Sequence, residues 1–316
     1  MFIVAAMNAD TELQNRLKTM FPMVEFAFFE SLKDVGDAIA KAEVLVTYGG
    51  NLTEELLAQA KKLKWIMVLA AGLDKLPLRA IKERGIILTN ARGIHKIPIG
   101  EFVLAFMLQY VKKFPFFHQE KEKHHWSRDV HIEELNGQTL LVVGAGSIGS
   151  HIAKLAKAFG MRTLGIKRSK TEDANFDEIH TLDKLHDVLP EADFVVSVLP
   201  STRETKNVFT KQQFTLMKKS SVFINVGRGD VVNEGDLLQA LNERVIAHAY
   251  LDVFQEEPLP EDHPFWTCEY ITITPHITGV TRPYLERAME IFVKNLHIYL
   301  NGNGRMINIV DLDRGY

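Results

Sequence analysis

The chain has 316 residues, which is long enough for two domains, and its 46% hydrophobic and 24% charged residues are typical of a globular protein. A formal net charge of −3 at pH 7 excludes an overall field that would attract nucleic acid, and no apolar run is long enough for a membrane-spanning helix. Because Cys268 is the single cysteine, no intramolecular disulfide can form, and we expect a cytoplasmic protein.

Strand and helix patterns alternate over the first part of the chain. Short apolar runs predict strands at residues 2–7, 24–29, 44–47, 65–69 and 86–89. Helical patterns lie between them, after Asn8 or Asp10 as far as Met20, and at residues 32–40 and 53–62. This alternation predicts a parallel sheet with helices on both faces, so the first domain is expected to be a small doubly wound α/β unit.

A markedly apolar segment at residues 99–112 follows the first domain. It is too short to span a bilayer, so it predicts a buried helix that links the domains or packs at a subunit interface. The basic run at residues 117–128 contains His118, His124 and His125, and no acidic or cysteine partner is expected at ligand spacing. This run predicts a solvated helix end, and no metal site is expected.

The second domain begins with a glycine-rich turn between a strand and a helix. After the apolar run at residues 140–143 come Gly144, Gly146 and Gly149, with Ser147 and Ile148 between the last two. Glycines at this spacing allow a sharp turn, a close approach of the backbone to a pyrophosphate, and tight packing of the next helix. Because that helix directs its N-terminus at the turn, an anion is favoured there. The segment therefore predicts a dinucleotide site.

The end of the next strand, predicted at residues 161–166, indicates which dinucleotide binds. An NAD site usually has an acidic residue about 20 positions after the glycines, for the ribose 2′-OH. This chain has Lys167, Arg168, Ser169 and Lys170 instead, which offer two ammonium groups, a guanidinium and a hydroxyl to a 2′-phosphate. A solvated basic turn is the alternative interpretation. We predict NADP(H) as the cofactor, with NAD(H) less favoured.

Four further strands are predicted at residues 194–199, 221–226, 246–253 and 271–274. In open parallel sheets, ligands bind outside the carboxyl ends of the strands. The residues of interest at these ends are Leu199, Pro200, Val226, Gly227, Arg228, Asp252, Glu257 and His276. An amphipathic pattern at residues 282–300 predicts a helix that returns to the first domain, and residues 306–310 predict a short extended tail.

Three of these side chains have complementary chemistry for the reduction of a carbonyl group. His276 can deliver a proton to a developing alkoxide, and Glu257 can fix the tautomer of that imidazole through a hydrogen bond. Arg228 offers a bidentate fork to a carboxylate. Each residue alone is more often structural, but together downstream of a dinucleotide motif they predict an acid, an orienting group and an anion anchor.

The same segments resemble, in order and over nearly the whole chain, the D-isomer-specific 2-hydroxyacid dehydrogenases. Within that family, they resemble more specifically the glyoxylate/hydroxypyruvate (2-ketoacid) reductase branch. It rests on Gly-Ala-Gly-Ser-Ile-Gly at 144–149, Asn-Val-Gly-Arg-Gly at 225–229, Asp-Val-Phe at 252–254, Glu-Pro-Leu-Pro at 257–260 and Thr-Pro-His-Ile at 274–277. Two departures from the family pattern are Asn233, where an aspartate is common, and the segment around His95.

The resemblance implies roles for individual residues. His276 is implied to be the acid/base, Glu257 its partner, and Arg228 the substrate-binding arginine, while Asp252 is implied to face the nicotinamide carboxamide. The backbone amides of Ala71, Gly72 and Leu73 are implied to bind the substrate carboxylate. The expected cofactor contacts are Gly144, Gly146, Ser147, Ile148, Gly149, Lys167, Arg168, Ser169, Leu199, Pro200, Val226, Gly227, Asp252 and His276.

The expected architecture is two doubly wound parallel-sheet, Rossmann-like domains. Residues 1–97 are expected to form a flavodoxin-like substrate domain that residues 285–316 complete through the C-terminal helix, and residues 98–284 a Rossmann nucleotide-binding domain. The resemblance implies a homodimer that pairs through the nucleotide domain.

The expected function is hydride transfer from NADPH to the keto carbon of small 2-keto acids such as glyoxylate and hydroxypyruvate, which gives D-2-hydroxy acids. One alternative is an NAD-dependent dehydrogenase of the D-lactate or 3-phosphoglycerate type. Another is a non-catalytic dinucleotide-sensing protein that resembles a corepressor. No nucleic-acid or membrane partner is expected.

Overall fold

The structure, a computed structural model, describes residues 1–73, 75–169 and 171–313. It divides into two compact units, Met1–Ile94 with the chain from Arg282 onward, and His95–Thr281. The sequence placed these boundaries after residues 97 and 284.

The elements are numbered here in chain order. The strands are β1 (Phe2–Ala6), β2 (Glu25–Phe29), β3 (Val44–Thr47), β4 (Trp65–Val68), β5 (Ile87–Asn90), β6 (Thr139–Val143), β7 (Arg162–Ile166), β8 (Glu178–His180), β9 (Phe194–Ser197), β10 (Val222–Asn225), β11 (His248–Leu251) and β12 (Ile271–Ile273). The helices are α1 (Thr11–Met20), α2 (Glu54–Gln59), α3 (Leu78–Glu83), α4 (Lys96–Val111), α5 (Phe114–Glu122), α6 (Ser147–Ala158), α7 (Leu185–Val188), α8 (Lys211–Leu216), α9 (Glu234–Asn242) and α10 (Tyr284–Asn301).

The first unit is a five-stranded, entirely parallel sheet in the order β2-β1-β3-β4-β5. This is the flavodoxin-like strand order, so the predicted fold is confirmed. The C-terminal helix α10 completes the unit, because Ala288, Met289 and Leu296 are buried in the same core as Ile3. The ring of Phe292, on the same helix face, stacks on a β4 tryptophan at a centroid distance of 5.5 Å.

Two parts of this unit differ from the expected elements. Residues 32–40 were predicted as one helix, but this region forms two short 3-10 helices, Leu32–Asp34 and Gly36–Lys41. The second begins at Gly36, whose φ of +49 is incompatible with one continuous right-handed helix. The tail at residues 306–310 has one antiparallel bridge, between Thr89 and Ile309, and no strand. Asn308 has φ +57, which is incompatible with an extended backbone.

The second unit is a seven-stranded parallel sheet in the order β12-β11-β10-β9-β6-β7-β8. Strand β6 pairs with β7 on one side and β9 on the other, with Val142 opposite Gly165 and Val196. The strand order therefore reverses at β6, whose carboxyl end leads into the glycine turn, and this reversal is where open α/β sheets bind ligands. All five residues of β6 are buried, as expected for a strand covered on both faces.

Helices α4 and α5 match the predicted apolar segment and the histidine-rich run. None of the helices in the described chain combines the length and apolar character needed to cross a membrane. The expectation that the histidines lack acidic partners was wrong, because His118 lies 3.4 Å from Glu122 and His125 pairs with Glu120. These are pairs only: residues 1–73, 75–169 and 171–313 hold no group of three or more side chains suited to a metal ion.

One half-buried histidine in the second unit should make stability depend on pH. His248, on β11, packs its ring against Tyr250 at a centroid distance of 4.8 Å and hydrogen-bonds Thr272 at 2.9 Å. Burial, with Lys113 and Arg244 adding to it, lowers the pKa of His248 to about 4. An unfolded histidine titrates near ~6.5, so between these two values this residue binds a proton in the unfolded chain that it does not bind in the folded chain.

We therefore expect the free energy of unfolding to fall as the pH is lowered from about 6.5 towards 4, with His248 contributing up to about 1.4 kcal/mol per pH unit. The substitution His248→Gln should remove this contribution, since glutamine does not titrate. Urea unfolding at several pH values between these limits measures the slope, and the exposed His118→Gln serves as a control. A slope in His248→Gln equal to that of the unaltered protein would contradict the prediction.

Candidate active site

At two positions of the turn after β6, close backbone contacts leave room only for glycine. Gly144 has φ +109, and a Cβ there would lie 2.8 Å from Val198 O. A Cβ on Gly149 would lie 2.4 Å from the carbonyl oxygen of Gly144, so the first turn of α6 packs directly on the chain leaving β6. Side chains at either position would force the turn apart.

The third glycine of the motif faces open space. A Cβ on Gly146 would meet no atom within 4 Å, so the backbone is approachable from outside at this point. Gly146 is the N-cap of α6 and gives no side-chain hydrogen bond, and the amides of Ser147 and Ile148 lie in the first turn, where no intrahelical acceptor exists. The turn is therefore a cradle of amide donors that fits the pyrophosphate of a dinucleotide.

The basic residues predicted to bind a 2′-phosphate follow β7 directly. Lys167 is half-buried, while Arg168 and Ser169 are exposed, and Lys170 lies outside the described residues. Lys167 Nζ donates to Thr171 Oγ1 at 2.7 Å, which holds the ammonium group close to the segment that leaves the strand.

The loops at the carboxyl ends of neighbouring strands touch through glycines. A Cβ on Gly227, after β10, would lie 2.6 Å from Leu199 O, after β9. A Cβ on Gly229 would lie 1.9 Å from the carbonyl carbon of Phe254, after β11. Because no side chain separates these loops, the predicted cofactor-lining and Arg228-bearing segments form one continuous edge. Within that edge Pro200 is exposed, whereas Leu199, Val226 and Gly227 are buried.

His276 and Glu257, from two different loops of this edge, contact each other. His276 Nδ1 lies 2.7 Å from Glu257 Oε2. The other carboxylate oxygen, Glu257 Oε1, accepts a hydrogen bond from Phe254 N at 3.0 Å. The imidazole side chain is 49% exposed, and within the described part of the second unit its Nε2 has no hydrogen-bond partner. One nitrogen is thus held by a carboxylate, and the other can face a ligand.

Asp252 holds the segment that carries His276. Its carboxylate is buried, and each oxygen accepts two hydrogen bonds, Oδ1 from Thr274 Oγ1 and Ile277 N, and Oδ2 from the amide and hydroxyl of Thr278. His276 has φ +50, a conformation that non-glycine residues seldom adopt, and its amide donates to Asp252 O at 2.8 Å. These bonds fix a strained backbone; the implied contact of Asp252 with a nicotinamide carboxamide stays a prediction.

Arg228 lies in a tight turn after β10. Asn225 Nδ2 donates to Arg228 O at 2.9 Å, and Asn225 Oδ1 accepts a hydrogen bond from Gly227 N at 3.2 Å. The guanidinium donates through Nη1 to Gly227 O at 2.9 Å. Strand β10, which leads to Arg228, and strand β12, which leads to His276, are the two neighbours of β11, so both residues leave the same edge of the sheet.

A second histidine, His95, belongs to this neighbourhood, although no chemical role was predicted for it. A Cβ on Gly279 would lie 2.9 Å from His95 Cδ2, so the imidazole packs on the backbone that follows His276. Burial, with the charge of Arg228 adding to it, lowers the pKa of His95 to about 4, and the ring is neutral at pH 7. The long separation in sequence between His95 and Gly279 leaves no local pattern that could have revealed this contact.

The predicted carboxylate-binding residues of the first unit follow β4. Leu73 is buried, Ala71 is half-buried and Gly72 is exposed. Asn90 Nδ2 donates to Ala71 O at 3.0 Å and fixes the start of the segment. Among the described residues of this unit, none accepts a hydrogen bond from the amides of residues 71–73. These amides can therefore donate hydrogen bonds to a ligand or to water.

Comparisons with known proteins identify the family of the chain. The family profile described as the NAD binding domain of D-isomer specific 2-hydroxyacid dehydrogenases matches residues 104–278. D-3-phosphoglycerate dehydrogenase of Methanocaldococcus jannaschii is 33% identical over 282 residues, which cover 88% of this chain and 54% of that protein. The chain thus spans about half the length of that relative. Glyoxylate/hydroxypyruvate reductase B of an Enterobacter species is 31% identical over 305 residues, 92% of each chain.

Solved structures with the same fold are also similar in sequence. A D-isomer specific 2-hydroxyacid dehydrogenase family protein from Aeromonas salmonicida is 35% identical, with a TM-score of 0.90 over 99% of each chain. The NADPH-dependent glyoxylate/hydroxypyruvate reductase of Sinorhizobium meliloti, in complex with NADP and sulfate, is 25% identical, with a TM-score of 0.83 over 100% of this chain and 99% of that one. This chain belongs to the D-isomer specific 2-hydroxyacid dehydrogenase family.

Proposed function

We propose that this protein is a reductase that uses NADPH to convert small 2-keto acids of the glyoxylate and hydroxypyruvate type to D-2-hydroxy acids. The observation that carries the proposal is the 2.7 Å contact between His276 Nδ1 and Glu257 Oε2, at the edge of the sheet that also bears the dinucleotide turn. The relative from Enterobacter, similar over 92% of both chains, bears the name of such a reductase.

His276 acts as the proton donor to the substrate oxygen. When bound, a reduced nicotinamide supplies a hydride to the keto carbon. Glu257 accepts a hydrogen bond from the Nδ1–H of His276, which fixes the ring orientation and stabilises the imidazolium. The Nε2 proton then passes to the oxygen as negative charge develops on it. The bond from Phe254 N to Glu257 Oε1 keeps the carboxylate in place during this transfer.

Arg228 holds the anionic end of the substrate. A guanidinium forms two parallel hydrogen bonds to a carboxylate, which orients the adjacent keto group as well as binding it. Asn225 and Gly227 fix the backbone from which this side chain extends. In the first unit, the amides of Ala71, Gly72 and Leu73 donate to a substrate carboxylate.

Lys167, Arg168 and Ser169 favour NADPH over NADH. They follow β7 at the position where an NAD site has a carboxylate for the ribose 2′-OH. A carboxylate would repel a 2′-phosphate, whereas an ammonium, a guanidinium and a hydroxyl can all donate to it. The similar reductase from Sinorhizobium meliloti was solved with NADP.

A D-3-phosphoglycerate dehydrogenase is the second candidate function. The relative of that name is 33% identical over 88% of this chain. Its substrate bears a phosphate in addition to the carboxylate, so that function requires a further cation for the second anionic group.

We further infer a homodimer that forms through the second unit. In α5 and the segment that follows it, that unit exposes large apolar side chains, with Phe114 58%, Trp126 86% and Ile132 45% exposed. Exposed apolar groups are a feature of protein contact surfaces, which supports the inference. Sedimentation velocity should report the mass of two chains, and a monomer at micromolar concentration would contradict this inference.

We also propose a cytoplasmic location, because the chain has a single cysteine and can form no intramolecular disulfide.

Turnover of the purified protein tests the proposed function. Glyoxylate, hydroxypyruvate, pyruvate and 3-phosphohydroxypyruvate should each be offered with NADPH and with NADH, and the loss of nicotinamide absorbance measured. We expect glyoxylate or hydroxypyruvate with NADPH to give the highest kcat/KM. A preference for the phosphorylated acid would favour the second candidate. Binding of both cofactors with no turnover of any acid would favour a dinucleotide sensor.

A further inference from the structure

The loops that follow β9 and β10 are joined at both ends. The cofactor loop is defined here as residues 199–205, and the Arg228 loop as residues 226–231. At their start the two backbones touch, since a Cβ on Gly227 would lie 2.6 Å from Leu199 O. Just beyond the cofactor loop, Asn207 N donates to Asp230 O at 2.9 Å, and Phe209 N donates to Val231 O at 3.0 Å.

A side-chain contact lies between these backbone contacts. Ser201 Oγ donates to Asp230 Oδ2 at 2.6 Å, and both residues are half-buried. A hydrogen bond from a hydroxyl to a carboxylate is short and about twice as strong as a neutral one. Ser201 directly follows the Leu199-Pro200 pair predicted to line the cofactor, while Asp230 is the second residue after Arg228. The contact therefore joins a cofactor-lining segment to the segment that bears the proposed substrate arginine.

Arg228 depends on its neighbours for its position, because glycines flank it on both sides. Glycine leaves the backbone less restricted than any other residue does. On the N-terminal side, Asn225 Nδ2 holds the carbonyl oxygen of Arg228 at 2.9 Å. On the C-terminal side, the first side chain beyond Gly229 is Asp230, and Ser201 holds it. Without this side-chain contact, that side of the turn keeps only the backbone bonds to Asp230 O and Val231 O, so its restraint is weaker.

We propose that Ser201 and Asp230 are a positioning pair, which acts through Arg228 by tying its loop to the cofactor loop. Neither residue needs to touch the substrate. The inference rests on the proposed role of Arg228 as the substrate-carboxylate anchor. A contact that holds Arg228 in place contributes to substrate binding, so its loss should appear in KM for the keto acid more than in kcat.

Steady-state kinetics with glyoxylate and saturating NADPH test the pair. Ser201→Ala should raise KM for glyoxylate about tenfold, while kcat and the Kd for NADPH change less than about twofold. Ser201→Thr keeps the hydroxyl and should restore most of the affinity. In an Arg228→Lys background, which has already lost the bidentate fork, Ser201→Ala should raise KM less than about twofold. The control is Ser220→Ala, an exposed serine at the opposite end of β10.

A KM increase of the same size in both backgrounds would overturn the inference, because the effect would not pass through Arg228. Hydrogen exchange of the unliganded protein gives a readout that needs no activity. Amides of the Arg228 loop should exchange faster in Ser201→Ala than in the unaltered protein or in Ser220→Ala. Unchanged exchange would overturn the inference even in an active enzyme. If the unaltered protein reduces no keto acid, the proposed function fails, and exchange still decides whether the contact restrains this loop.

Discussion

Replacing His276 with alanine should lower kcat/KM for keto-acid reduction by about 10²- to 10⁴-fold or more, the usual contribution of a positioned general acid. The variant loses the imidazole that delivers the proton to the developing alkoxide, and Glu257, which contacts that imidazole at 2.7 Å, loses its partner. The Kd for NADPH should change little, because the glycine turn and the basic segment after β7 are unaltered. Fluorescence titration with NADPH measures this Kd, and absorbance assays measure turnover.

Two further variants make this prediction specific. Glu257→Gln should lower kcat/KM, but by less than His276→Ala does. A glutamine can still contact the imidazole, but it does not stabilise its charged form. The exposed His118→Ala should keep full activity. Loss of NADPH binding in His276→Ala would contradict the assigned role, because the loss of activity would then reflect a missing cofactor rather than a missing proton donor.

The parts of the fold that could be predicted from the sequence are the strands with continuous apolar runs. The strands of both sheets that carry continuous apolar runs were found, and their alternation with helices led to two parallel sheets. The elements that were missed are short, such as β8, α3 and α8, because a few residues give too little periodicity to distinguish from a loop. Residues 32–40 were predicted as one helix because the helical pattern continues across Gly36, whose positive φ breaks the helix.

The candidate site could be predicted where chemistry coincides with a strand end. His276, Glu257 and Arg228 were selected in this way, and the structure brings the first two within 2.7 Å. The supporting contacts could not be read from the sequence, because they join distant segments. The four bonds to the Asp252 carboxylate come from residues 274–278, and the Ser201 hydroxyl reaches a carboxylate on the loop of the next strand. Such contacts depend on tertiary packing, which no local pattern encodes.

The double substitution Lys167→Asp with Arg168→Ala should reverse the cofactor preference. It removes two cations that could donate to a 2′-phosphate, and each charge-assisted hydrogen bond is worth about 1.5–3 kcal/mol. We therefore expect kcat/KM for NADPH to fall by about 100-fold or more. For NADH it should rise, because the new carboxylate follows β7 where it can accept from the ribose hydroxyls. The ratio of the two kcat/KM values, measured with the best keto acid, reports the change.

A charge-matched control separates recognition from the overall field of the protein. Lys61→Asp with Lys62→Ala changes the net charge equally, at exposed residues of the first unit that are remote in sequence from the dinucleotide turn. This control should leave the ratio unchanged. Raising the ionic strength should weaken NADPH binding to the unaltered protein more than NADH binding, since only NADPH carries the 2′-phosphate charge. A ratio that does not move in the Lys167 and Arg168 variant would show that these residues form a solvated basic turn and that another part of the chain selects the cofactor.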